Sequence, residues 1–97
     1  MQIVQSERFI SELNQISDFI AQDSVDRATN FQSELLEHLK TISEQPYSCR
    51  KSQNFDDEKV RDFIFKKYVV PYFVGESEIL LLGIYKKNLW KANGFSM

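Results

Sequence analysis

One cysteine and one histidine in 97 residues exclude most site chemistry built on those side chains. Cys49 alone forms no internal disulfide and anchors no cysteine-based zinc site, and His38 alone rules out a multi-histidine metal centre. Long apolar runs are missing as well. The longest, Ile79–Tyr85, falls far short of the roughly 18 residues needed for a spanning helix. The start of the chain carries Glu7 and Asp18 and has no basic segment followed by an apolar one, so no signal peptide is expected. There is no internal repeat and no low-complexity tract. The expectation is a small domain with no cofactor, no metal and no membrane span, residing in the cytoplasm. With 42% hydrophobic and 27% charged residues, positions 1–97 read as a single globular domain.

The net charge of −2 is unevenly spread. Residues 1–58 hold 5 basic and 11 acidic side chains, whereas residues 59–97 hold 7 basic and 3 acidic. Such a change of sign either marks an anion-facing surface or reflects clustering on solvated faces. A generic nucleic-acid binder would be basic overall, which this chain is not.

Gln2–Gln5 is short, contains Ile3 and Val4, and is expected to be a strand. Ser6 offers a helix cap, with Glu7 suitably placed near the positive end of the helix dipole. Phe9, Leu13, Ile16 and Ile20 then recur on one helical face, which Phe19 widens. Asp23 or Ser24 caps a second helix, whose stripe is Ala28, Phe31, Leu35, Leu39 and Ile42 and whose stop is Pro46. So short a joint makes the helices, Phe9–Ala21 and Val25–Glu44, an antiparallel hairpin. Tyr47–Glu58 is polar and reads as a loop. Val60–Phe65, Tyr68–Val74 and Glu78–Tyr85 are β-branched and aromatic, separated by turns short enough to force antiparallel pairing. Pro71 inside the middle strand cannot donate to a ladder and favours an edge or a bulge. The order is β-α-α-β-β-β, an α+β domain with a helical hairpin packed on a small antiparallel sheet.

The last strand does not alternate. Ile79, Leu80, Leu81, Leu82, Ile84 and Tyr85 send apolar groups to both faces, and two helices cover only one. The other face is closed either by the chain's own tail, through Trp90 and Phe95, or by a partner.

These features together resemble the RelE/ParE superfamily of toxins from bacterial toxin–antitoxin pairs, and the ParE-like members most. The resemblance spans nearly the whole chain. It rests on Phe19–Ile20–Ala21 closing the first helix, Ala28 with Phe31 opening the second, and Pro46 with Arg50 after it. It continues through Val60–Arg61, the strand Tyr68–Val69–Val70–Pro71–Tyr72 and the ending Gly83–Ile84–Tyr85. It implies a toxin in a hetero-oligomer with a cognate antitoxin, whose extended or helical segment covers the sheet through Tyr72, Ile79, Leu81 and Tyr85. Within the superfamily, RelE-like members cut messenger RNA on the ribosome, whereas ParE-like members act on DNA gyrase without that catalytic set. An inactive interaction domain of the same fold is the third possibility.

Cleavage of RNA through its own 2′-hydroxyl needs a base, an acid and positive charge at phosphorus. The candidates are Arg61, Tyr85, Lys86 and Lys87, with Tyr85 useful as an acid only if its pKa is lowered. Arg61 also has a structural alternative, the pairing of acidic groups. Cys49, His38 and the Lys66–Lys67 turn read more simply as an inert thiol, an exposed helix residue and a solvated turn. The long hairpin, the Pro46 and Arg50 loop and the overall acidity favour gyrase over the ribosome. Contact with the target is expected through Lys86, Lys87, Trp90 and Lys91, which join positive charge to a large anchoring side chain.

Overall fold

A computed structural model describes residues 1–87 of the chain. Trp90, Lys91 and Phe95, three of the side chains singled out above, lie outside the described residues. Eight elements follow in order: β1 (Gln2–Gln5), α1 (Glu7–Ala21), α2 (Val25–Glu44), β2 (Arg50–Lys51), β3 (Val60–Phe65), β4 (Tyr68–Val74), β5 (Glu78–Leu81) and β6 (Tyr85–Lys86).

Both helices start where a serine can cap them. The Ser6 hydroxyl accepts from the Phe9 amide at 3.1 Å and the Ser24 hydroxyl from the Arg27 amide at 3.2 Å. The α2 stripe expected from spacing, Ala28, Phe31, Leu35, Leu39 and Ile42, is the buried face of that helix. In α1, Phe9 and Leu13 are buried while Ile16 and Ile20 are partly buried at the edge of the core. Those stripes meet Phe63, Phe65, Val70, Tyr72, Val74, Ile79 and Leu81 on one face of the sheet, forming one hydrophobic core.

The α+β architecture is the expected one, with three refinements in the sheet. Its order is β1-β5-β4-β3-β2, with β6 also paired to β4. First, β1 lies parallel to β5, with Ile3 opposite Ile79 and Val4 opposite Leu80, so the sheet is mixed rather than wholly antiparallel. Nearly the whole chain separates those two strands, so no tight turn dictates their relative direction. Second, the expected loop after α2 contains β2, which pairs antiparallel with Arg61 and Asp62 of β3.

Third, Glu78–Tyr85 is not one strand. β5 pairs with β4 at Leu81 opposite Tyr72, and β6 resumes with Tyr85 opposite Val69. Between these two pairs, two residues of β4, Val70 and Pro71, face three of the last segment, Leu82, Gly83 and Ile84, which is a bulge. Pro71 sits opposite the break. It has no amide hydrogen to offer on the side where its carbonyl accepts from the Leu82 amide at 2.8 Å. The Ile84 amide, released from the ladder, donates instead to the Glu12 carboxylate of α1 at 2.9 Å. A Cβ on Gly83 would lie 2.6 Å from that same carboxylate oxygen, so a side chain there would displace Glu12 from the Ile84 amide.

Candidate functional surfaces

Directly opposed residues share a face of the sheet, so the register separates the candidate side chains. Arg61 is opposite Tyr72, which is opposite Leu81, and all three lie on the helix side. Tyr85 is opposite Val69, which is opposite Ile64, on the outer side. Lys86 is opposite Tyr68, again on the helix side. Tyr68 is paired with Phe65, four residues along β3 from Arg61. At about 3.3 Å per residue, Arg61 and Lys86 are roughly 13 Å apart along the strand alone. The four nucleolytic candidates do not converge on one point.

Arg61 is engaged in holding the chain. Its Nε donates to the Glu58 carbonyl at 3.0 Å, and its Nη1 donates to the Cys49 carbonyl at 3.2 Å. Its guanidinium lies 4.7 Å from the centroid of the Tyr47 ring. The structural partners are thus carbonyls and a ring, not the acidic groups expected from sequence. The Tyr72 hydroxyl reaches the same segment, donating to the Pro46 carbonyl at 2.7 Å. Burial, with the neighbouring Cys49 thiol, pushes the Tyr72 pKa well up, which keeps the hydroxyl a donor.

Three of the four side chains expected to meet an antitoxin have no surface to offer. Tyr72, Ile79 and Leu81 are each 0% exposed in the described structure. An apolar run without alternation does not reveal which parity faces inward, and the inward set here is the odd one in β5. Their neighbours form the outer face. Val4, Leu80 and Phe73 line up across β1, β5 and β4, each partly exposed, and Leu82 lies partly exposed in the bulge.

Beyond that apolar row the outer face becomes polar. Asp62 is buried, and its Oδ2 accepts from the Gln53 amide at 3.3 Å with the Arg50 guanidinium 3.6 Å away. Its Oδ1 has no hydrogen-bond partner. The Tyr85 hydroxyl accepts from the Asn54 side-chain amide, which ties β6 to the loop after β2. Desolvation first, and the Asp62 charge second, raise the Tyr85 pKa, while Asn54 and Arg50 act in the opposite direction. That is the reverse of the shift an acid would need. Among the described residues, no group of His, Cys, Asp and Glu gathers as a metal site. No helix there is long and apolar enough to cross a membrane.

A groove of about 400 Å³ opens on the other side, between the hairpin joint and the β3–β4 turn. Ile20, Phe31 and Tyr68 floor it, Phe19 stands at its lip, and Arg27, Lys66, Lys67 and Lys86 surround it. Phe31 meets Tyr68 edge-on, with centroids 5.3 Å apart. Glu34 is ion-paired to Lys66 at 2.8 Å, and that hydrogen bond and charge hold its carboxyl below the usual range. Lys66 and Lys67 form the expected exposed turn, and the Lys66 φ of 54° places it in the left-handed region. Sequence reading missed this groove. The available signal was Phe19, which sits off the main α1 stripe and is 68% exposed.

Comparison with known proteins gives a consistent picture. The family described as ParE toxin of type II toxin–antitoxin system, parDE, matches residues 3–88. No curated protein sequence matches the chain. Among solved structures, the chain is similar to one from a chromosomal ParDE toxin–antitoxin system of P. aeruginosa. The TM-score is 0.74 at 19% identity, covering 89% of this chain and 95% of the other, a likeness of fold.

Proposed function

The chain belongs to the ParE toxin family of type II toxin–antitoxin systems, and from that premise we propose that it arrests growth by inhibiting DNA gyrase. In this reading it is non-catalytic and is held inactive by a cognate antitoxin. The observation that carries the non-catalytic reading is the dispersal of the nucleolytic candidates. Arg61 is tied to two carbonyls on the helix side, whereas Tyr85 lies on the outer side with a raised pKa. A base and an acid on opposite faces of a sheet cannot serve one phosphodiester. The net charge of −2 also disfavours approach to a ribosome.

The antitoxin, in this proposal, covers the outer row of Val4, Leu80 and Phe73, giving a toxin–antitoxin hetero-oligomer. A partly exposed apolar row continuous across three strands is a suitable seat for an apolar segment. Contact with gyrase is assigned to Lys86 and Lys87 with Trp90 and Lys91. The cationic pair Lys86–Lys87 is also what favours the competing reading, a ribosome-dependent nuclease. One experiment separates them: purified toxin is added to a gyrase supercoiling reaction and, in parallel, to a translation extract. Loss of supercoiling that antitoxin restores, with intact messenger, is expected. Full supercoiling in excess toxin with cut messenger would replace gyrase by the ribosome as the target.

A further inference from the structure

We propose that the groove between the hairpin joint and the β3–β4 turn is a second docking site, for an acidic protein segment that inserts a bulky apolar side chain. The proposal goes beyond the toxin reading, since it concerns the helix-side end of the molecule and holds whatever the cellular target is.

The chemistry of the groove is two-part. Phe19 at the lip is 68% exposed, the most exposed aromatic side chain in the described structure, and Phe31 with Tyr68 offers an aromatic wall below it. An aromatic ring left in water beside an apolar depression loses hydration cost when a second apolar group fills that depression. Around it stand Arg27, Lys67 and Lys86, drawn from α2, the β3–β4 turn and β6. The lining carries one carboxylate, Glu34, and Lys66 already holds it at 2.8 Å. A positive rim on a chain of net charge −2 is a local inversion, and it complements an acidic partner.

The same features select a protein segment over a nucleic acid. Nucleic-acid binding draws on a track of cations along successive phosphates, whereas these three ring a single depression. A peptide with carboxylates flanking one leucine or phenylalanine satisfies both floor and rim.

The probe is a short peptide of glutamates flanking a leucine–phenylalanine centre, titrated into the isotopically labelled full chain and followed by amide shifts. Shifts are expected at Phe19, Phe31, Lys67 and Tyr68, with binding that weakens as salt rises. Phe19→Ser should weaken binding at least about tenfold, as loss of an anchoring aromatic does. Arg27→Glu with Lys67→Glu should weaken it further and remove the salt dependence. Both variants alter exposed side chains, and unchanged melting temperatures would confirm intact folding. Equal binding by the lysine counterpart of the peptide would overturn the proposal. So would shifts confined to the Leu80 face, or none up to about 1 mM peptide. A single-stranded oligonucleotide that displaces the peptide from the same residues would reassign the groove to nucleic acid. The variants spare Lys86 and Lys87, and the readout is peptide binding rather than supercoiling, so failure here is distinguishable from failure of the toxin reading.

Discussion

The two faces of the sheet are built from alternate residues of the same strands, and they differ in what they have left to offer. At the centre of the helix side, Ile79, Leu81 and Tyr72 are sealed against α1 and α2, and the Arg61 guanidinium and the Tyr72 hydroxyl have partners inside the chain. On the outer side, Leu80 and Phe73 remain partly exposed, and a buried Asp62 keeps one oxygen unpaired. A sealed centre whose contacts are all internal can contribute stability only. A face with unspent apolar surface and an unsatisfied acceptor is the one a partner can improve.

The strongest way to test that division is to damage the sealed face. Leu81→Ala removes a fully buried side chain at the centre of the sheet and should cost about 2–5 kcal/mol. Chemical denaturation reads this directly, and a loss below about 1 kcal/mol would mean that the face is less closed than described. Arg61→Ala comes next. It frees the Glu58 and Cys49 carbonyls from a charged donor and should cost about 1–3 kcal/mol, with growth inhibition retained wherever the fold survives. Loss of toxicity at unchanged stability would return Arg61 to a catalytic role.

Gly83→Ala sharpens the comparison at the bulge, where the faces meet. The new Cβ displaces the Glu12 carboxylate from the Ile84 amide, for an expected loss of about 1–2 kcal/mol. Glu12→Ala in the same background should then add little, because the two changes remove one interaction. The smallest effect is titrational. Tyr72 and Tyr85, one on each face, both have raised folded pKa values. Their contribution to stability is therefore complete below the unfolded tyrosine pKa of about 10 and is lost as pH rises through the folded values. Tyr72→Phe and Tyr85→Phe should each remove a late step from the ultraviolet titration of the phenols and lessen the fall in stability at alkaline pH.

Most of the fold was legible because its signals are local. The caps at Ser6 and Ser24, the α2 stripe from Ala28 to Ile42 and the bounds of β3 and β4 all follow from spacing within a short window. What escaped depends on contacts between distant segments. The direction of β1 is set by pairing with β5, and β2 is two polar residues recognisable only by their partner strand. Pro71 announced an irregularity, but its place in the bulge depended on which side of β4 the missing donor faced. The site was less legible than the fold. Apolar residues at every position of Ile79–Leu82 hide the inward parity, so Tyr72, Ile79 and Leu81 were expected at a surface that belongs to Leu80 and Phe73. The groove joins Phe19 and Arg27 to Lys67 and Lys86, which only the folded topology brings together.

The central claim, that the antitoxin seat is the outer face while the sealed centre of the helix side supplies stability, is tested most directly by a pair of substitutions read two ways. Leu80→Asp and Tyr72→Phe are each measured for melting temperature and for affinity to the proposed cognate antitoxin. The account predicts that Leu80→Asp weakens antitoxin binding at least about tenfold with little change in melting temperature. It predicts that Tyr72→Phe, losing its bond to the Pro46 carbonyl, lowers the melting temperature and leaves affinity unchanged. Unchanged affinity in Leu80→Asp, or weakened binding by a stable Tyr72→Phe protein, would contradict it.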